Sequence, residues 1–509
     1  MSDFSPPLPR PRRNATQRLR VRVLDPANAV RRGSRHLTPT AYVGDSLLLT
    51  GEGPDDEAVT QIRSLLDGEL DVECSCHHDR RSAKSAATTG PRSTRLTLSR
   101  CGDRLGTGVD AWQVLQSVLT SHPDLEGRIG LNHVMTAADP YWDPVPYWDP
   151  VPYWDPVPYW DPVPFGGRGG QGLGEYGAAG IGGRTPVVWQ APDPRTYAPQ
   201  PRRAPVVAIV DTGLGIHPWF PDGDPDVERW EPVVEDLLVD GHDTGVIDPL
   251  TGTVGPLAGH GTFIAGVVRQ RSARARLLSI PVLGADGVVE EYLVHTALRR
   301  LLSRQRAALD AGSLEELVDV VCLSMGYHHE EGSAEDIAST SALAHLLREL
   351  SDVGIAVVAA AGNSAVADPF YPAGLALRRG QNVPTAGTPP LVSVGAQNPN
   401  SSTVALFTND GPWVTTHRPG AAIVSTVPTA LQGGLSPTVV VGQRSTVDRD
   451  DFSSGFAIWS GTSFAAPALA AEIATALTTD EEWLDGGTGT EPTRRALAAV
   501  LDRPTEVSS

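Results

Sequence analysis

The sequence predicts a three-layer α/β domain with a mostly parallel sheet over residues 204–502, preceded by a small α+β domain over 37–135. Three observations carry this. In the long C-terminal part, short and nearly continuous apolar runs alternate with stretches of helical apolar spacing, the pattern of parallel strands buried on both faces and joined by helical crossovers. In the N-terminal part, strand and helix patterns follow in the order β-α-β, β-α-β, which suggests a split βαβ, ferredoxin-like layer. Between them lies a tract rich in proline, tyrosine, tryptophan and glycine, a composition that belongs to neither.

The elements follow in chain order. Residues 1–36 form an arginine- and proline-rich arm, in which 10–35 holds nine arginines against the single acid Asp25. It reads as a solvated arm or an electrostatic docking arm. In the small domain, 46–50 is an apolar strand, 55–66 a helix with apolar Val59, Ile62, Leu65 and Leu66, and 69–74 a second strand. The pattern recurs with a strand at 94–99, a helix at 110–119 and a last strand at 128–134. The hexapeptide Tyr-Trp-Asp-Pro-Val-Pro then occurs four times in tandem from Tyr141 to Pro164. Its prolines forbid helix and favour extended backbone. It reads as a semi-rigid spacer, or as an aromatic ligand for a partner or for this protein's own surface. A glycine-rich run at 166–183 completes a linker over 136–203. Beyond it, 206–210, 275–281, 318–324, 355–361 and 391–396 read as strands, 291–309 and 334–350 as helices, and 503–509 as a tail.

Bulk properties narrow the function. A net charge of -19 argues against nucleic acid as a principal partner. No stretch approaches the roughly 18 apolar residues that span a bilayer, so no membrane partner is expected. The first residues lack the apolar core of a secretory signal, and a cytoplasmic location is expected. With Cys74, Cys76, Cys101 and Cys322 as the four cysteines, no disulfide framework is indicated. Cys74, Cys76, His77, His78 and Cys101 lack the usual zinc spacing. Asp222, Asp224 and Asp226 lack the glycine and terminal glutamate of a calcium loop. No metal or cofactor is assigned.

Five motifs carry chemistry. Asp211-Thr-Gly213 follows the apolar run 206–210, which holds an acid rigidly at a sheet edge. Asp-Thr-Gly also marks aspartic proteases, and Asp243-Thr-Gly245 is a second copy, but 32 positions are too few for two similar lobes. His260, in Gly259-His260-Gly-Thr262, is flanked by glycines that leave room for an imidazole with two partners. Ser324-Met325-Gly326 ends a strand and can pair with an extended peptide. Ala360-Ala361-Gly362-Asn363 ends another, and the Asn363 amide can donate to an oxyanion. Ser463, in Ser460-Gly-Thr-Ser463-Phe-Ala-Ala-Pro467, opens a helix whose N-terminus favours developing negative charge.

In that order these motifs resemble the subtilase family, over roughly 204–501. The resemblance implies a subtilisin-like fold and a serine endopeptidase acting through an acyl-enzyme. Ser463 is then the nucleophile, His260 the general base and acid, Asp211 its orienting partner, and Asn363 with the Ser463 N–H the oxyanion donors. It places Ser324, Met325, Gly326, Ala360, Ala361 and Gly362 in the walls of the primary specificity pocket and Phe370 at its floor, favouring small side chains. The expected partner is a protein or peptide substrate. Subtilisin propeptides share the topology read at 37–135, and that unit or the repeat is positioned to cover the cleft as an intramolecular inhibitor. A maturation protease devoted to one partner peptide would show the same motifs, and a silent binding protein is the remaining alternative.

Overall fold

The structure, a computed structural model, describes residues 19–27, 29, 37–51, 56–70, 72–77, 92–100, 108–137, 183–189, 191–233, 245–248, 250–330 and 334–502. The hexapeptide repeat, most of the arginine-rich arm, Asp243, His78 and Cys101 lie outside them.

The N-terminal layer contains β1 (Val21–Leu24), β2 (Thr40–Gly51), α1 (Glu57–Leu65), β3 (Val72–His77), β4 (Arg92–Arg100), α2 (Ala111–Ser121) and β5 (Ile129–Thr136). Both helices start on an acid that caps them, Asp110 where the sequence placed the start and Asp56 one residue after it. The Asp56 carboxylate accepts from Ala58 N at 3.0 Å and that of Asp110 from Trp112 N at 3.1 Å, each satisfying an orphan first-turn amide. The four strands of the two β-α-β units pair antiparallel in the order β5-β2-β4-β3, the split βαβ arrangement the sequence suggested. Leu47, Leu49, Ile62, Leu96, Trp112 and Leu131 fill a core of its own beneath this sheet.

The C-terminal domain is built on a seven-stranded parallel sheet. Its strands are β7 (Val206–Asp211), β8 (Val227–Arg229), β9 (Arg276–Pro281), β11 (Val320–Leu323), β12 (Ala356–Ala360), β13 (Val392–Gln397) and β14 (Thr416–Pro419). Their order is β14-β13-β12-β11-β7-β9-β8. Between β9 and β11 in the chain lies the short β10 (Val288–Glu290), and β15 (Ile423–Thr426) pairs with β16 (Phe456–Trp459) apart from the main sheet. The flanking helices include α3 (His260–Arg271), α4 (Glu291–Ala311), α5 (Ala342–Asp352), α6 (Thr462–Leu477) and α7 (Thr490–Leu501). The helix expected over 334–350 is interrupted, because the Ser341 hydroxyl caps α5 through Ala344 N. Strand order reverses beside β7, and ligands of open parallel sheets bind outside the carboxyl ends of strands at such a switch point. Between β15 and β16, Val440–Val441 and Arg444–Ser445 form an exposed antiparallel hairpin.

Two chain segments join the halves. β5 pairs antiparallel with β10, so the N-terminal sheet is continued by a strand of the C-terminal domain. Met135 and Ala137, at the end of β5, are buried in the large C-terminal core. On the far side of the repeat, β6 (Thr185–Pro186) pairs antiparallel with β16. The end of the tract read as linker is also packed down. Arg195 ties to Asp193, Asp224 and Asp226, and Arg203 donates to the carbonyl of Trp483.

Candidate active site

Asp211 is the last residue of β7 and His260 the first of α3, so each sits where its element ends and the side chain clears the sheet. They meet there, with His260 Nδ1 and Asp211 Oδ1 2.7 Å apart. The same oxygen accepts from the Thr212 amide at 2.8 Å, which fixes the carboxylate plane. The imidazole packs with the rings of Trp459 and Phe464 in a three-ring cluster, with centroids at 5.3 and 5.4 Å from its own. Both partners are buried. Behind them, burial pushes the Cys322 thiol up to about 12, so it packs as a small apolar group.

Ser463 lies in the first turn of α6, and Ser324 donates its hydroxyl to the Ser463 carbonyl at 3.0 Å. The oxyanion candidate is held from behind. Asn363 Oδ1 accepts from Thr462 N at 2.8 Å and from the Thr462 hydroxyl at 2.9 Å. With its carbonyl so occupied, the amide group must face away from Thr462. Asp211 and His260 thus pair at the carboxyl edge of the sheet, and Asn363 is tied to Thr462, the residue before Ser463.

Glycines of both expected pocket walls pack close to Phe370. A Cβ added to Gly326 would meet the Phe370 ring at 2.6 Å, and one added to Gly362 would meet it at 3.0 Å. Only glycine lets both walls approach the ring so closely. Ala360 and Ala361 are buried beside Gly362, and Ser324 and Met325 beside Gly326.

A model of the subtilase family matches residues 202–499, more than half of the chain. The chain belongs to the subtilase family. Subtilases are hydrolases of the serine-protease type that act on peptide bonds. No curated protein matches this subtilase. Among solved structures, a lanthipeptide protease matches with 19% identity, covering 58% of this chain and 80% of that one, at a TM-score of 0.40. No helix among the described residues is long and apolar enough to cross a membrane.

A segment of this subtilase's own N-terminal layer reaches Ser463. Thr136 and Gly326 exchange both backbone hydrogen bonds at 2.9 Å, while the neighbouring residues of β5 pair with β10. The end of β5 thus runs between two strands as an added peptide would. It delivers the Ala137 carbonyl to Ser463, whose hydroxyl donates to it at 3.0 Å.

Sequence reading missed the contacts that hold β5 there. His133, on β5, donates Nδ1 to Glu291 and Nε2 to Glu330, each at 2.7 Å, and all three are buried. Its ring stacks on Tyr327 at 4.2 Å, and the other Glu291 oxygen meets His295 Nε2 at 3.2 Å. Burial pulls the His133 pKa down, but the charges of Glu330 and Glu291 outweigh it and hold it at about 10. Burial raises the Glu330 carboxyl, and His329 and His133 overcome this to hold it at about 2. Glu291 is likewise held below the usual carboxylate range despite its burial. Next to them, Glu290 accepts from Arg95 and Asn132, both at 2.6 Å.

His133, His329 and Glu330 bring ligand-type atoms within 4.8 Å of one another. The 2.7 Å between His133 Nε2 and Glu330 is hydrogen-bond spacing and leaves no room for an ion between them. Of the cysteines considered for zinc, Cys76 accepts from Arg63 at 3.2 Å, and burial pushes Cys74 up to about 12. The Asp224 and Asp226 carboxylates, considered for calcium, are bound by Arg195.

Proposed function

We propose that this subtilase is a serine endopeptidase whose activity in the full chain is held low, though not abolished, by the end of β5 lying in its cleft. The observation that carries the reading is the 3.0 Å contact from the Ser463 hydroxyl to a peptide carbonyl in a backbone-paired strand. A substrate would lie in that place and present its own carbonyl to the same oxygen.

In the reaction Ser463 Oγ adds to the carbonyl carbon as its proton passes to His260. Asp211, 2.7 Å from Nδ1, keeps the other nitrogen turned toward the serine and stabilises the imidazolium. Charge building on the carbonyl oxygen is met by the Asn363 amide and the Ser463 N–H, both oriented before the reaction begins. The imidazolium then gives its proton to the leaving amine, and water repeats the sequence on the acyl-enzyme. The Phe370 ring, close to Gly326 and Gly362, restricts the residue before the cut to a small side chain. Inhibition follows from tethering. A strand on the same chain faces the cleft at an effective concentration near millimolar, so modest contacts keep it occupied.

A fluorophosphonate probe tests the nucleophile. The wild-type chain should be labelled at Ser463 and hydrolyse casein, and Ser463→Ala should lose both while remaining folded. Casein cleavage by the alanine variant at the wild-type rate would overturn the assignment.

A further inference from the structure

β5 accounts for the half of the cleft that leads up to Ser463; a second segment of the chain lies on the other half. β16 runs through Ser460, Gly461 and Thr462 into Ser463, and β6 is paired along it, Thr185 opposite Ile458 and Pro186 opposite Ala457. The Val187 amide extends the pairing to the Phe456 carbonyl at 3.0 Å. Followed from N to C, β5 approaches Ser463 and β6 recedes from it. That is the sense in which the two halves of one bound peptide would run.

At the end of β6 nearer the serine stands Arg184, fully buried. Its two terminal nitrogens donate to the carbonyls of Pro256 and Gly255 at 2.5 and 2.8 Å. Its guanidinium lies over Trp459 at 4.9 Å and Phe452 at 5.3 Å. Trp459 also packs against His260, and Gly255 and Pro256 lie on the turn that enters α3, so the crevice is one ring away from the catalytic base. Two diverging carbonyls between aromatic faces suit a planar, forked cation. A lysine ammonium presents one point charge and no plane, and would match neither feature. Burying a guanidinium is also an expensive way to anchor a two-residue strand, since an apolar side chain would do so without desolvating a charge. These features are those of a recognition pocket, whichever chain supplies the arginine.

We propose that this crevice is a substrate subsite selecting arginine at the second to fourth position after the cut bond, and that Arg184 fills it in the resting chain. The proposal rests on the endopeptidase reading above. Arg184→Ala vacates the crevice in the full-length protein. Methylguanidinium should then raise the melting temperature of the variant by several degrees, whereas methylammonium should not, and wild type should respond to neither. This arm needs no catalysis, so it still reads the pocket if the protein cleaves nothing.

The second arm uses fluorogenic peptides differing only by arginine or alanine at those positions. The variant should prefer arginine by tenfold or more in kcat/KM, with a smaller preference in wild type, where Arg184 competes. If Arg184→Ala does not fold, sequencing the fragments that wild type makes from a mixed peptide library decides alone. Arginine enriched two to four residues after the cuts supports the subsite. An Arg/Ala ratio within twofold of one, a flat fragment profile, or equal responses to the two methylated cations would show an ordinary structural arginine and overturn the proposal.

Discussion

The ground beneath Ser463 and the ground in front of it are made differently. Beneath it, β7, β11 and β12 are buried throughout and carry aliphatic side chains and a thiol, with Asp211 the one charge. In front, where β5 meets β10 and α4, apolar side chains share the buried space with a polar cluster of Asn132, His133, Glu290, Glu291, His295 and Glu330. Apolar burial contributes large net stability whatever the detailed geometry. A buried ionic cluster contributes little net stability, yet it is costly when half made. The first kind of packing makes a permanent scaffold. The second specifies one docked position and returns its charges to water when the parts separate.

The largest expected effect breaks the chemistry and leaves both regions standing. Asp211→Asn presents the wrong partner to His260 and should lower kcat by about 10⁴. The melting profile should stay within a few degrees of wild type, measured alongside steady-state peptide hydrolysis.

The next variant cuts the interface. His133→Ala takes the shared cation from two buried carboxylates, at a cost of about 3–5 kcal/mol, which is roughly 10²–10⁴ in the docking equilibrium. Peptide hydrolysis by the full chain should rise accordingly. Leu347→Ala, in the apolar layer under α5, should cost a similar 2–5 kcal/mol but only lower the melting temperature. If both variants activate the chain, or neither does, the distinction between the two regions fails.

Phe370→Gly probes apolar packing that touches the site. Removing the ring should improve kcat/KM by roughly 10–100-fold for substrates with an aromatic residue before the cut, the range open to a reshaped hydrophobic pocket. An unchanged profile would remove Phe370 from the pocket floor.

The mildest lever is pH. His133 is flanked by Glu291, Glu330, His329 and Tyr327. Because its pKa is raised from 6.5 to about 10, its contribution to docking is complete below 6.5 and is lost as pH climbs through 10. Glu330, lowered from 4.5 to about 2, contributes fully above 4.5 and loses that contribution as pH falls through 2. Docking is therefore tightest between about pH 4.5 and 6.5. Relief of inhibition should grow as pH climbs from 6.5 toward 10, and His133→Gln should flatten the profile.

These contrasts also explain what the sequence could disclose. The residues proposed as the triad lie in short motifs fixed to strand and helix ends, so Asp211, His260 and Ser463 could be picked out one by one, and the β-α-β, β-α-β order was legible. The interface was not. His133 finds its partners 158 and 197 positions away. Alone, Glu290 and Glu291 read as ordinary acids at a helix start, and His133 as one position in an alternating strand. Arg184 closes a glycine-rich run and carried no pattern of its own; only its packing against Trp459 distinguishes it from linker. The cap at Ser341 was hidden because the apolar spacing continues across it.

The pairing of β5 with β10 has a price at the moment the two parts separate. Each strand then becomes a bare edge, with unpaired amides and carbonyls beside side chains such as Val134, Met135 and Val289 that are buried in the docked chain. Such edges recruit one another between molecules. A population of opened chains should scatter light and self-associate in proportion to its concentration, while a saturating peptide that occupies the strand position keeps the solution clear.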